Sequence, residues 1–199
     1  MTADELRARL AAIVAAEQPG RIAHGTELTE MLDQPAAAAA VLVPFVLHTA
    51  PGVLLTKRTA HLTKHAGQVS FPGGRIDPTD ADARAAALRE AYEEIALEPD
   101  QVTVLGNLSD FLTGTGFRIT PVIGLLPPGL AFKPSPHEVE AVFELPLSVL
   151  LDPDAPQLRP REVQGRARNF WVWPHPEHYI WGATAAILVH LARALRAEV

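Results

Sequence analysis

The chain contains no cysteine, so disulfide scaffolds, cysteine nucleophiles and cysteine-ligated zinc are excluded. It has no basic excess: 17 Lys and Arg stand against 23 Asp and Glu, a net charge of −6. The electrostatic footprint of a nucleic-acid binder is therefore missing. It has no apolar run of the about 20 residues that a membrane-spanning helix needs. The longest, Ala36 to Leu47, is interrupted by Pro44 and reads as a buried strand. The opening Met1-Thr2-Ala3-Asp4-Glu5 lacks the basic and apolar stretches of a secretory signal. A soluble cytoplasmic protein, with neither membrane nor nucleic acid as partner, is the expectation. No serine sits in a nucleophile elbow, and there is no internal repeat.

What is present is an ordinary folding composition. The 199 residues are 48% hydrophobic and 20% charged, enough for a single domain with a real core. Leu6, Leu10, Ile13 and Val14 predict an amphipathic helix over 4–17, ended by Pro19-Gly20; residues 21–35 read as irregular. Strands are predicted at 41–48 and 53–57, around Pro51-Gly52. Residues 59–79, rich in Gly, Pro, His and Thr, read as a long loop, which in a compact domain is usually functional. Residues 80–95 predict a helix with Ala81, Ala85, Leu88, Tyr92 and Ile95 on its apolar face. Further strands are predicted at 102–112, 117–126, 139–145 and 170–173. A surface loop is expected at 152–160 and a last helix at 184–197, with Ile187, Leu188, Leu191 and Leu195 inward. The Thr113–Gly116 stretch reads as a hairpin turn. Strands with helices before, within and after them indicate a mixed α/β or α+β domain.

The chemistry-bearing stretch is Arg89-Glu90-Ala91-Tyr92-Glu93-Glu94. Spacings of three and four place its carboxylates on one side of a helix. Such a pattern alone is usually a solvated acidic face. It also suits a divalent cation, because Mg²⁺ takes oxygen ligands and shares its shell with water and phosphate. Ala83, Ala86 and Ala87 would leave room beside the carboxylates. Arg89, four before Glu93, can pair with it. Upstream, Phe71-Pro72-Gly73-Gly74 leads toward the helix, and paired glycines allow close backbone approach. His61 and His65 lack a third nitrogen or sulfur ligand, so zinc is not expected. Trp171, Trp173, Tyr179 and Trp181 read as core or interface aromatics rather than a base-stacking platform.

Together, Gly74, Arg89, Glu90, Glu93 and Glu94 resemble the Nudix box, G-x5-E-x7-R-E-U-x-E-E-x-G-U. The R-E-x-x-E-E core is intact. Gly74 to Arg89 is one position longer than the general pattern, which leaves Asp80 nearest the first Glu, and Ala96 stands where the last Gly would be. The stretch Leu54-Leu55-Thr56-Lys57-Arg58-Thr59, with Gly67 and Phe71-Pro72-Gly73-Gly74, is similar to the signature of the coenzyme A diphosphatase branch, L-L-T-x-R-[SA]-x3-R-x3-G-x3-F-P-G-G. Thr59 is a mild departure. Thr63 replaces an Arg, and neighbouring Lys64 can supply the charge. Phe117-Arg118-Ile119-Thr120-Pro121-Val122 and Trp181-Gly182-Ala183-Thr184 also look like this branch, so the resemblance spans roughly residues 40–190.

The resemblance implies an α/β/α sandwich around a mixed β-sheet, here with an added N-terminal helix (1–35 helix and connection, 36–199 hydrolase domain). It implies metal-dependent hydrolysis of coenzyme A or its derivatives to 4′-phosphopantetheine and adenosine 3′,5′-bisphosphate, with Mg²⁺ or Mn²⁺. Glu90 and Glu94 are the implied metal ligands, with Glu93 a third. Glu90, Glu93 and, outside the box, Glu138 or Glu140 are candidates for the general base, and Arg89 would orient the cluster. Arg58, Lys64, Gly73, Gly74 and Arg75 are candidate substrate contacts, since coenzyme A presents a diphosphate and a 3′-phosphate to cationic groups. The alternatives are the same chemistry on a dinucleotide or nucleotide sugar, and a ligand-sensing Nudix domain without catalysis. A homodimer is plausible for such a protein.

Overall fold

The computed structural model describes residues 1–18, 36–62, 65–163, 166–173 and 175–197. Helix α1 (Ala3–Ala16) comes first, its start closed by a capping box between Thr2 and Glu5. Then follow β1 (Ala37–Val46), β2 (Gly52–Arg58), β3 (Val69–Ser70), β4 (Gly73–Arg75) and helix α2 (Ala83–Ile95). After them come β5 (Thr103–Asn107), β6 (Phe111–Leu112), β7 (Phe117–Leu126), β8 (Val139–Pro146) and α3 (Leu147–Leu150). The chain closes with β9 (Gln157–Val163), β10 (Arg166–Trp173), β11 (Ile180–Trp181) and α4 (Gly182–Arg196).

The main sheet has the order β3-β2-β1-β7-β5, with β4 added to β1, β6 to β7 and β8 to β2. It is mixed: β1 and β7 run parallel along their whole lengths, and the other pairs are antiparallel. A separate sheet has the order β11-β10-β9. The near-continuous apolar run of β1 suits a central strand covered on both faces. Its alternate residues divide between two cores: Val43 and Phe45 join one, and Ala40, Leu42 and Val46 the other. The first core takes Leu6 and Leu10 of α1 and Ile187, Leu188, Leu191 and Leu195 of α4. The second takes Ala86, Ala87, Ala91 and Ile95 of α2. The outcome is the expected three layers, helices on each side of a mixed sheet.

Several expectations need correction. Helix α2 starts at Ala83, because Asp82 caps it by accepting from the Ala85 amide at 2.8 Å. Its buried face is the alanine stripe with Ile95, and Tyr92 is 48% exposed. Small residues let the helix approach β1 and β4 closely, where Leu and Tyr would hold it off. Ala86 and Ala87 are thus core residues and leave no ligand space. The long loop at 59–79 contains β3 and β4, which add backbone pairing to β2 and β1. The strand at 102–112 is two strands, and the loop at 152–160 becomes β9 from Gln157 onward. The Thr113–Gly116 turn is as expected: the Thr113 amide donates to the Phe117 carbonyl at 2.9 Å. The stretch 21–35 lies outside the described residues.

Candidate active site

The site is assembled where α2 leans on the ends of β2 and β4. Glu94 is 2% exposed and one residue from Ile95 on the buried face. Its Oε2 accepts from the Gly73 amide at 3.3 Å, and its Oε1 lies 3.5 Å from Arg58 Nη1. Burial pushes the carboxyl up to about 8. Arg58 and the Gly73 amide oppose the shift, while the charges of Glu90 and Glu138 add to it. Glu90, one helical turn earlier, is also raised, chiefly by burial and against the pull of Arg89. Two carboxylates thus share a poorly solvated corner with less positive charge than they need.

The glycine pair makes the corner possible. A Cβ on Gly74 would lie 2.5 Å from Cδ of Glu90, so only glycine leaves room for that carboxylate. Gly73 has φ of +156°, and a Cβ there would meet the Ala40 carbonyl at 2.4 Å. Both glycines therefore set the position of the carboxylates by letting β4 lie between β1 and α2.

Arg89 is the hub of the exposed side. Its Nε donates to Asp80 Oδ1 at 3.0 Å and its Nη2 to Asp80 Oδ2 at 2.9 Å, a two-pronged clamp. Its Nη1 donates to Glu90 Oε1 at 2.9 Å and to Glu93 Oε2 at 3.2 Å, and Nη2 also reaches the Arg75 carbonyl at 3.1 Å. These partners raise the Arg89 pKa, and the same clamp depresses that of Asp80. Glu93 stays at the surface, with its side chain 55% exposed. Glu138 is exposed too. Its segment is tied to the end of α2 by the Ser135 amide on the Glu94 carbonyl at 2.8 Å and the Lys133 amide on that of Ile95 at 2.9 Å. Glu140 is held apart by Lys57, 2.7 Å away.

The structure thus brings Arg58, Gly73, Gly74, Arg89, Glu90 and Glu94 together, with Glu93 and Glu138 at the rim. Arg75 turns outward, its guanidinium over the Phe117 ring at 5.4 Å. Lys64 and Thr63 lie outside the described residues. Asp80 was the unassigned member: its only sequence signal was proximity to the missing first Glu of the motif. Its loop is preset for the clamp, since the Asp77 amide donates to Asp80 Oδ2 at 2.8 Å. The Ala96 departure also has a structural meaning. Ala96 ends α2 in the left-handed conformation, φ 55°, where glycine is the unstrained residue.

A divalent cation fits this corner by its chemistry. The donors are all carboxylate oxygen, and the raised pKa of both buried carboxyls marks a corner where a cation would stabilise their ionised form. Among the described residues, three such donors are not already gathered at coordination distance; Arg89 and Arg58 hold the carboxylates instead.

Comparison with known proteins agrees with this geometry. The NUDIX domain family matches residues 36–185. The chain is 47% identical over 156 residues to the Nudix hydrolase NudL of Enterobacter sp. (strain 638), covering 77% of this chain and 80% of that one. It is 48% identical over the same length to NudL of Salmonella paratyphi B, with the same coverage. Among solved structures, the Nudix hydrolase RenU of M. smegmatis superposes with a TM-score of 0.54 at 21% identity, covering 82% of this chain and 89% of that one. That likeness concerns the fold. A carboxylate corner on a three-layer fold, a domain match over most of the length and nearly half of the 156 aligned residues identical in curated relatives place this chain in the Nudix hydrolase family.

Proposed function

We propose that this Nudix hydrolase cleaves the diphosphate of coenzyme A or its derivatives, releasing 4′-phosphopantetheine and adenosine 3′,5′-bisphosphate. The observation that carries the reading is the meeting of Arg58 and Glu94 at 3.5 Å. The first belongs to the branch signature and the second to the box, and their contact supports reading the two motifs as one site. Among the described residues Arg58 Nε has no hydrogen-bond partner and the guanidinium meets Glu94 through Nη1, so it retains donors for a phosphate oxygen.

Glu90 and Glu94 would hold Mg²⁺ or Mn²⁺, with Glu93 joining directly or through water. The bound ion would neutralise diphosphate oxygens and acidify a water. Arg89, anchored by Asp80, is a positioning residue for Glu90 and Glu93. Of the candidate bases, Glu90 and Glu93 are already hydrogen-bonded to Arg89. Glu138 is therefore best placed to take a proton from the attacking water on its carboxylate oxygen. Arg58 and Lys64 would face phosphate, and Gly73 and Gly74 would serve through the carboxylates they position. Among the described residues no helix is long and apolar enough to cross a membrane.

The test is product analysis after incubation with coenzyme A and Mg²⁺ or Mn²⁺, beside a chelated control. Metal-dependent adenosine 3′,5′-bisphosphate is the expected result. Turnover of dinucleotides or nucleotide sugars in its place would move the assignment to the second reading, which Thr63 at the signature's Arg position favours. Ligand binding without turnover of any diphosphate would leave a sensing domain.

A further inference from the structure

On the other side of the β2 end lies a group that the carboxylate chemistry does not use. Phe143 of β8 stacks on the His178 ring, with centroids 3.9 Å apart and planes 27° apart. His178 in turn stacks on His175 at 4.8 Å and 26°. The segment carrying the two imidazoles leads into β11. The ladder is half-buried, and Phe143 also packs on the core of α1 and α4.

Two features set this ladder apart from simple packing. His178 Nδ1 is buried and has no hydrogen-bond partner among the described residues, a cost that a structural imidazole avoids. His175 is fixed instead: its Nδ1 accepts from the amides of Glu177 at 3.1 Å and His178 at 3.2 Å. That leaves its proton on Nε2 and its plane set by backbone. Burial, helped by the adjacent His175, also holds His178 below the ordinary imidazole range, which favours the neutral form of that ring. Such a surface suits a flat heteroaromatic ring better than a phosphate.

Its location ties it to the site. Lys57 and Arg58 are consecutive at the end of β2. Arg58 turns to Glu94, while the charges of Lys57 and its partner Glu140 are felt by His178. Phe143 pairs with Leu55 of β2, three residues before Arg58, and Arg58 Nε and His178 Nδ1 are two of the buried polar atoms without a partner among the described residues.

We propose that the His175–His178–Phe143 ladder is the base-recognition surface of the diphosphate substrate. The heteroaromatic base stacks on His175, and the diphosphate passes over the end of β2 to Arg58 and the carboxylates. This rests on the reading of the substrate as a nucleoside diphosphate derivative.

The experiment is an NMR titration of the full chain without metal, following histidine ring protons. Adenosine 3′,5′-bisphosphate is one probe and inorganic diphosphate the base-free control. His175→Gln and His178→Gln assign the signals. Upfield movement of both rings with the nucleotide alone is expected. Unmoved rings, or equal movement with inorganic diphosphate, would overturn the proposal. In kinetics, His175→Ala should raise KM for the nucleoside substrate about tenfold with kcat unchanged. An equal rise for a base-free dialkyl diphosphate would also overturn it. If coenzyme A is not turned over but the nucleotide still shifts the rings, only the coenzyme A reading falls. If coenzyme A is hydrolysed and the rings stay still, only the ladder falls.

Discussion

The two faces of the central sheet are built on opposite terms. Under α1 and α4 the core is large and apolar, with Leu6, Leu10, Leu188 and Leu191 fully buried. Under α2 the helix itself contributes Ala86, Ala87 and Ala91 beside Ile95, and the border includes the buried carboxylate of Glu94. The first face supplies stability through area removed from water. The second gives some of it up, because a desolvated carboxylate beside Glu90 opposes folding when charged. One sheet can carry a strained charge cluster because its opposite face is over-determined by packing.

That contrast is sharpest at Glu94. Glu94→Gln keeps the shape and removes the charge. Turnover should fall by about 10²–10⁴-fold, while the metal-free melting temperature stays the same or rises. Near-normal turnover with saturating metal would remove Glu94 from the site. Gly74→Ala attacks the same corner sterically, through a methyl 2.5 Å from the Glu90 carboxylate. It should lower kcat about 10²-fold with a small change in unfolding. An unchanged kcat would mean that Glu90 is free to relocate.

Across the sheet the signs reverse. Leu188→Ala should cost about 2–5 kcal/mol in denaturant unfolding and leave kcat and KM unaltered while the protein is folded. A smaller effect follows from pH. Glu94 titrates at about 8 in the fold, above its unfolded value, so its neutral form is the one the fold favours. The metal-free protein should therefore lose stability as pH rises from the ordinary carboxylate range through about 8. Adding divalent cation should flatten that slope in thermal melts, and Glu94→Gln should abolish it. The smallest expected effect is Ala96→Gly, which relieves a left-handed alanine and should raise stability by about 1 kcal/mol in the same assay.

Much of this was legible in the chain. The apolar run of β1, the 117–126 strand and the inward leucines of α4 follow from periodicity alone, because burial on a sheet or under a helix imposes it. The carboxylates were legible because a metal site on one helix needs them three and four apart. The orientation of α2 was not. Its sequence offers Leu88 and Tyr92 as an apolar face, and only the glycines of β4 below it make the alanine stripe the better fit. For the same reason Glu94 reads as solvated and is buried. Asp80 was hidden because its role depends on a loop that brings it nine residues back to Arg89. The histidine ladder was hidden because its rings come from β8 and from the segment before β11.

The sequence by itself determined which residue types are available for chemistry and which segments must be buried, since composition, spacing and periodicity are local properties of the chain. The tertiary structure alone decided which carboxylate lost its water, which arginine faces it and which rings stack. Those depend on the distance between elements far apart in sequence, and burial, charge and close approach act through that distance.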